Sequence, residues 1–384
     1  MKLLYYSTAY HATHGGSIQS IEFYNSLIKF DQIKKAEVYP NGIPAVNEKK
    51  SIKKSIRHLL RMIPVLQVFF FYRKNKMYLK GVEECIRKFD PDVIVLQIDS
   101  NFLQIRKLRS KFPKLIISTQ VNASPFDEPF KNIAFKKYFI KKQSLFYSKA
   151  DYNFFISGFL REHIMGDFLN SDRDKIVHNG TDISKFKPLP EKEKLRGKHK
   201  YPKGQFIVGY IGTLDFHKKM DLLLLSLQKL SEKDIILVII GNGPALSSLK
   251  AMSKSLNIDD KVIFKGWVDH DLMNEHLNCF DLAIHHHANE YMSPLKIFEY
   301  LATGLPVIAP NIPAVREILQ DGVEVVLTQP TVESITDNIL SMYYDEEKRR
   351  LLASNGAKKI RENFTWMDYT KNIVETIEAN KNKL

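Results

Sequence analysis

Two lysines and one glutamate stand where an α/β sheet would deliver them to a ligand. Lys218 and Lys219 follow the apolar run "GYIGTL" within "GYIGTLDFHKKMDLLLLSL", and a helical pattern begins near Asp221. A lysine at the carboxyl end of a parallel strand sits where open α/β sheets bind ligands, and its ammonium acts as a point charge toward phosphate. A solvated loop lysine is the competing reading. Further on, "HHHANEYMSPLKIFEYLATGLPVIAPN" places Ser293, Pro294, Leu295 and Lys296 just ahead of Glu299, inside a helix-like segment. A surface charge would account for the glutamate alone. A pocket for something both polyanionic and hydroxylated would account for the glutamate, the lysine and the tight glycine turn together.

Glycine pairs add weaker signals. In "AYHATHGGSIQSIEFYNSLIKF" a strand ends near Ser7, and Gly15 and Gly16 open a helix. Glycines let backbone approach a ligand, and a helix N-terminus attracts anions; an ordinary strand-to-helix turn has the same look. "IIGNGPALSSL" holds Gly241 and Gly243 but lacks the third glycine of a dinucleotide fingerprint, so a tight turn is the simpler reading. "HNGTDISKF" is a strand-ending turn in which Asn179-Gly180 suits a positive φ. His285, His286 and His287 are adjacent; neighbours on a strand point to opposite faces, so they cannot all ligate one metal ion.

These residues need a scaffold. The chain has 384 residues, 44% hydrophobic and 26% charged, which fits a folded protein of two domains. Short apolar runs alternate with helical patterns, so both halves read as doubly wound α/β sheets with parallel strands. "KLLYYS", "VIVLQI", "KLIISTQ", "YNFFIS" and "KIVHNG" are the strands expected in the first half. "FIVGYIGTL", "IILVIIGNG", "KVIFKGW", "DLAIHH" and "LPVIAP" are those of the second, with helices such as "ALSSLKAMSKSLNI" and "VREILQDG" between them. The Pro- and Lys-rich "ISKFKPLPEKEKLRGKHKYPKG" lacks apolar periodicity and reads as a connection. The expected division is a first domain at 1–190, a linker at 191–203, a second domain at 204–364, and a C-terminal helix at 365–384 that can pack on either domain.

Charge is uneven. Residues 1–200 carry 37 Lys and Arg against 19 Asp and Glu; residues 201–384 carry 20 against 24. A basic docking half explains this asymmetry. Two stretches concentrate it: "KKSIRHLLRMIPVLQVFFFYRKNKMYLK", and "FKNIAFKKYFIKKQSLFYSK" with six lysines and no acid. Basic helices interleaved with Phe, Tyr and Leu can lie in an anionic membrane interface; an ordinary helix burying its apolar face is the alternative. The apolar run "IPVLQVFFFY" is well short of the roughly 20 residues of a spanning helix. No recognised nucleic-acid motif accompanies the basic half. Two distant cysteines, Cys85 and Cys279, fit a reducing compartment. "MKLLYYSTAY" reads as a buried first strand rather than a signal peptide. The expected location is cytoplasmic, peripheral on the inner membrane face.

Taken in order, the motifs resemble those of the GT-B glycosyltransferases, specifically the retaining family-4 group. "GGSIQSIEFYNSL" is similar to that family's opening glycine loop, and "IVHNGTDISKFKP" to its turn before the second domain. "IGTLDFHKKMDLLL", "IIGNGPALSSLKAMSKSLNIDDKVIFKGWV" and "SPLKIFEYLATGLPVIAP" resemble three successive elements of its second domain. The resemblance implies two Rossmann-like domains facing across a cleft, with a nucleotide-sugar held mainly by the second. It implies that Lys218 binds the donor diphosphate and Glu299 the ribose hydroxyls. The backbone at Ser293, Pro294 and Leu295 would cap the diphosphate, and Gly15 and Gly16 would approach it. Gly241 completes the donor set.

Three positions depart from the pattern. Thr213 stands where the family usually has an arginine, so Lys219 or Lys296 would supply that charge. Tyr291 stands where the first glutamate of the acidic motif would be, with Glu290 beside it. Gln120 stands where many members have a histidine near the sugar. Lys218, Glu290 and Gln120 are the catalytic candidates. The implied reaction is glycosyl transfer with retention, from a UDP- or GDP-sugar to a lipid-linked or glycan hydroxyl in envelope assembly, with no cofactor and no metal required. A catalytically weak nucleotide-sugar-binding subunit is the alternative.

Overall fold

The computed structural model describes residues 1–10, 15–39, 63–98, 102–126 and 130–380. The chain divides into two compact units, one of Met1–His178 with Tyr369–Leu384, the other of Asn179–Asp368.

The first unit holds β1 (Lys2–Ser7), α1 (Gly15–Leu27), β2 (Lys35–Tyr39), α2 (Pro64–Phe89), β3 (Val93–Gln97), α3 (Phe102–Lys111), β4 (Ile116–Val121), α4 (Lys136–Tyr147), β5 (Tyr152–Phe155), α5 (Gly158–Met165) and β6 (Asp174–Ile176). The strands form one parallel sheet, ordered β2-β1-β3-β4-β5-β6. The five expected strands are there. β2 was not anticipated: "KAEVY" is short, and only Val38 in it is fully buried. Helix α2 sends Phe71 into a ring cluster with Phe102, Phe126, Phe130 and Phe139 at 5.1–6.2 Å. The start of the first basic stretch, 53–62, lies outside the described residues.

The second unit holds α6 (Lys192–His199), β7 (Phe206–Ile211), α7 (Met220–Lys229), β8 (Ile235–Ile240), α8 (Leu246–Ser255), β9 (Val262–Gly266), α9 (Met273–Leu277), β10 (Leu282–Ile284), α10 (Leu295–Ala302), β11 (Val307–Pro310), α11 (Pro313–Arg316), β12 (Val326–Thr328), α12 (Val332–Tyr344) and α13 (Glu346–Asn363). Helix α14 (Trp366–Asn380) begins here and continues into the first unit. The sheet is parallel, ordered β12-β11-β10-β7-β8-β9. Its strands read as near-continuous Val/Ile/Leu runs because both faces are covered. Ile207, Ile211, Ile236 and Val238 enter one apolar cluster, while Val208, Tyr210, Leu237 and Ile239 enter the other. Strand order reverses between β7 and β10. In such sheets that reversal opens a crevice beyond the carboxyl ends of the strands.

The expected linker is not one. Residues 192–199 form α6, and the second unit starts at Asn179 rather than 204. The absence of apolar periodicity misled because a single arginine anchors the segment. Arg196 is 2% exposed. Its guanidinium donates to Cys279 O at 2.9 Å, Gln205 O at 3.1 Å and Asp281 Oδ2 at 2.5 Å. Asp281 Oδ2 also accepts from Ile207 N at 2.7 Å, so the pair fixes the entries of β7 and β10 together.

Candidate active site

Three loops of the second unit leave the carboxyl ends of β7, β8 and β10. The β7 loop runs from Gly212 through a 3-10 turn at Phe216–Lys218 into α7. Leu214 N donates to Asn242 O and Ala245 N to Leu214 O, which ties this loop to the one after β8. That contact explains the glycines. Gly241 has φ +146°, and a Cβ on it would lie 1.8 Å from Gly212 O; one on Gly243 would lie 2.4 Å from Leu214 O. Gly241 therefore serves the packing of one loop on the other, whatever else approaches it.

Lys218 is half-buried at the end of this turn, while Thr213 and Lys219 are exposed. Burial lowers the pKa of the Lys218 ammonium, and Asp215 opposes that shift. Among the described residues no carboxylate forms an ion pair with it. Lys219 has φ +51°, and its carbonyl faces His286 Nε2 at 2.9 Å.

The β10 loop carries His285 and His286, both buried. The His285 ring lies within 7° of parallel to Tyr210. Burial, then Lys218, His286 and Lys296, pushes the His285 pKa down to about 3. Burial likewise takes His286 to about 4. Both rings are neutral near pH 7, so they add no positive charge beside Lys218. The same loop leads past Glu290, whose side chain is exposed and whose carbonyl accepts from Ala314 N at 3.2 Å. It reaches Ser293, whose carbonyl accepts from Asn179 Nδ2 at 3.0 Å.

Pro294 caps α10, and Leu295 begins it. Its free backbone amides give this end partial positive charge. One turn in, Glu299 is 3% exposed. Lys296 Nζ lies 2.9 Å from Glu299 Oε2, and His270 Nε2 lies 3.6 Å from Oε1. Lys185 Nζ is 2.8 Å from His270 Nδ1. An ammonium can only donate, so Nδ1 accepts and the ring proton sits on Nε2, facing Glu299. Burial alone would raise the Glu299 pKa; Lys296 and His270 outweigh it and hold the carboxyl below its ordinary value. The result is an ionised acceptor inside a low-dielectric wall.

Lys296 and Glu299 are thus paired directly, while Lys218 and Lys296 both bear electrostatically on the neutral His285 ring. His270 and Lys185 escaped the sequence reading. Each stands in a quoted or adjacent segment, but neither has a spacing that marks it. Among the described residues, no three His, Cys, Asp or Glu are grouped to hold a metal ion.

Gly15, Gly16 and Gln120 belong to the first unit. Gly15 and Gly16 open α1, where Gly16 O accepts from Ser20 Oγ at 2.7 Å. Gln120 is the penultimate residue of β4, 2% exposed. Its Oε1 contacts Tyr5 OH at 2.9 Å, and Tyr5 OH also contacts Gln97 Oε1 at 2.8 Å. Gln97 Nε2 donates to Gln19 Oε1 at 2.7 Å, and Gln19 Nε2 bonds Tyr369 OH at 3.1 Å. This buried amide–hydroxyl network holds α1 against the ends of β1, β3 and β4.

A family model described as "Glycosyl transferases group 1" matches residues 191–359. An uncharacterized glycosyltransferase of Methanocaldococcus jannaschii is 25% identical over 71% of this chain and 70% of its own length. Chitobiosyldiphosphodolichol beta-mannosyltransferase of Debaryomyces hansenii is 25% identical over 72% of this chain and 62% of its own. The crystal structure of Anabaena HepE in complex with UDP has a TM-score of 0.75 at 17% identity, over 99% of this chain and 100% of that one. The fold is α/β of the GT-B class. Within the second unit, residues 191–359 are similar to the group 1 glycosyltransferases.

Proposed function

We propose that this chain moves a glycosyl unit from a nucleotide-sugar to an acceptor hydroxyl, with retention of anomeric configuration as in the family-4 group it resembles. One observation carries the reading: Glu299, one turn into α10 from its free amides, is buried with its carboxyl held below its ordinary value by Lys296, and Lys218 bears with Lys296 on the neighbouring His285 ring. A carboxylate suits ribose hydroxyls; a helix N-terminus and an ammonium with no ion-paired carboxylate among the described residues suit a diphosphate. The bound UDP of the Anabaena structure and the family match support a nucleotide-sugar donor, UDP- or GDP-linked.

During transfer, negative charge grows on the departing diphosphate. Lys218 and the first amides of α10, at Leu295 and Lys296, stabilise that charge where it develops. Glu290, exposed on the same loop, is the candidate contact to the donor sugar, whereas Gln120 is buried against Tyr5 within the first unit. Donor binding needs no metal or cofactor in this scheme. The acceptor is lipid-linked or glycan, in envelope assembly, met at the inner face of the cytoplasmic membrane. Exposed Val65, Phe69, Tyr72 and Met77 on α2 and Phe135 and Tyr138 near α4 support a membrane-facing surface. Among the described residues no helix is long and apolar enough to cross a bilayer. A thermal-shift panel of UDP-, GDP-, ADP- and TDP-sugars tests the donor. One nucleotide class should raise the unfolding temperature by mass action, and no shift with any of them contradicts the reading.

A further inference from the structure

The first unit has a cavity of about 600 Å³ between α2, α3 and α4, built on none of the donor residues. Arg106, Lys107 and Ser110 lie on one face of α3, at the three- and four-residue spacing that brings helical side chains into line. Tyr138 and Lys142 lie four apart on α4, opposite them, and Tyr72 comes from α2. The lining contains three cations and no acid. Among the described residues no carboxylate forms an ion pair with Arg106, Lys107 or Lys142. Two of the cations are instead held over aromatic faces: Arg106 over Phe146 at 5.9 Å and Lys142 over Tyr138 at 5.4 Å. Such rings fix the direction of a cation without neutralising it.

A volume of this size accepts a small headgroup, and three uncompensated cations in it call for an anion. The surroundings are not those of a site for a free anion. Tyr72 and Tyr138 are 49% and 55% exposed, and Phe69 and Phe135 nearby in sequence are 58% and 77% exposed. Exposed aromatics around a basic recess suit a bilayer interface, where rings sit at headgroup depth.

We infer that this cavity binds the phosphate of an anionic phospholipid headgroup, seating the first unit on a membrane. The inference deepens the membrane-proximal reading above by giving it a site. It separates a defined pocket from a diffuse basic surface.

The test is flotation at physiological salt with phosphatidylcholine vesicles, alone or mixed with phosphatidylglycerol. The pocket variant is Arg106→Gln/Lys107→Gln/Lys142→Gln. The control variant, Lys29→Gln/Lys34→Gln/Lys175→Gln, removes equal charge elsewhere in the unit. The wild type should float with the mixed vesicles only. The pocket variant should lose roughly tenfold or more of that binding. The control should stay within about twofold of wild type, because none of its three lysines lines the cavity. Equal loss in both variants overturns the pocket while leaving membrane association standing. Failure of the wild type to float overturns both. Nucleotide-sugar thermal shifts on the same proteins report folding and donor binding separately, and the pocket variant should keep them.

Discussion

Lys296 Nζ and Glu299 Oε2 are 2.9 Å apart across one turn of α10, with the carboxylate 3% exposed and the lysine side chain 22%. Removing the lysine leaves a buried charge answered only by a histidine N–H at 3.6 Å. Breaking one partner of such a pair costs about 3–5 kcal/mol. Lys296→Ala should therefore lower stability toward urea by that order, whereas Lys296→Arg should retain most of it. Equilibrium denaturation of the two variants checks the contrast.

Lys218 makes the opposite prediction. Its ammonium is desolvated, and among the described residues no carboxylate forms an ion pair with it, so Asp215 offsets only part of the cost of burying its charge. Lys218→Ala should leave the unfolding temperature unchanged or higher, yet cut kcat/KM by roughly 10²–10³, the usual effect of deleting a donor to developing charge. Steady-state kinetics beside a melting curve separate the two effects.

The main strands of both sheets were legible because parallel strands buried on two faces are written as apolar runs. "IILVII" of β8 admits little else. The places of Lys218 in the loop after β7 and of Glu299 within α10 were legible because each lies in a strand–loop–helix unit. The connection at 191–203 was not legible. One buried arginine, with partners at Cys279, Gln205 and Asp281, replaces the apolar stripe that would have revealed α6. His270 was hidden for a related reason. Its role depends on Lys185, 85 residues earlier, meeting its Nδ1, and no local spacing encodes that. The position of Gln120 near the end of β4 was legible, but its bond to Tyr5 depends on distant pairing.

The buried arginine yields its own prediction. Arg196→Ala would take from Asp281 its buried partner, leaving Lys192 and the Ile207 amide, and would leave two carbonyls without their donors, while Arg196→Lys could restore the charge but not the fork. Alanine should cost about 3–5 kcal/mol, and lysine should recover only part of it. Chemical denaturation of both variants provides the comparison.

Stability should also depend on pH with a definite sign. His285 and His286 fold with values near 3 and 4, below the 6.5 of a free histidine. Below pH 6.5 the unfolded chain takes up protons that the folded chain refuses. The stability present above pH 6.5 is thus lost as pH falls toward 4, by up to about 1.4 kcal/mol per pH unit for each histidine. Glu299, depressed below its ordinary 4.5, adds a further loss beneath that value. Urea midpoints measured from pH 7.5 to 4.5 should decline, and His285→Asn should flatten the decline.

Calorimetric titration of the stabilising nucleotide-sugar into wild type and Glu299→Gln tests the central claim most directly. The variant keeps size and packing but removes the charge that would receive the ribose hydroxyls. Replacing a charge-assisted contact by a neutral one should weaken binding by about 1.5–3 kcal/mol, roughly a ten- to hundredfold rise in Kd. Equal affinity in a folded Glu299→Gln variant would contradict the assignment of the α10 constellation as the donor site.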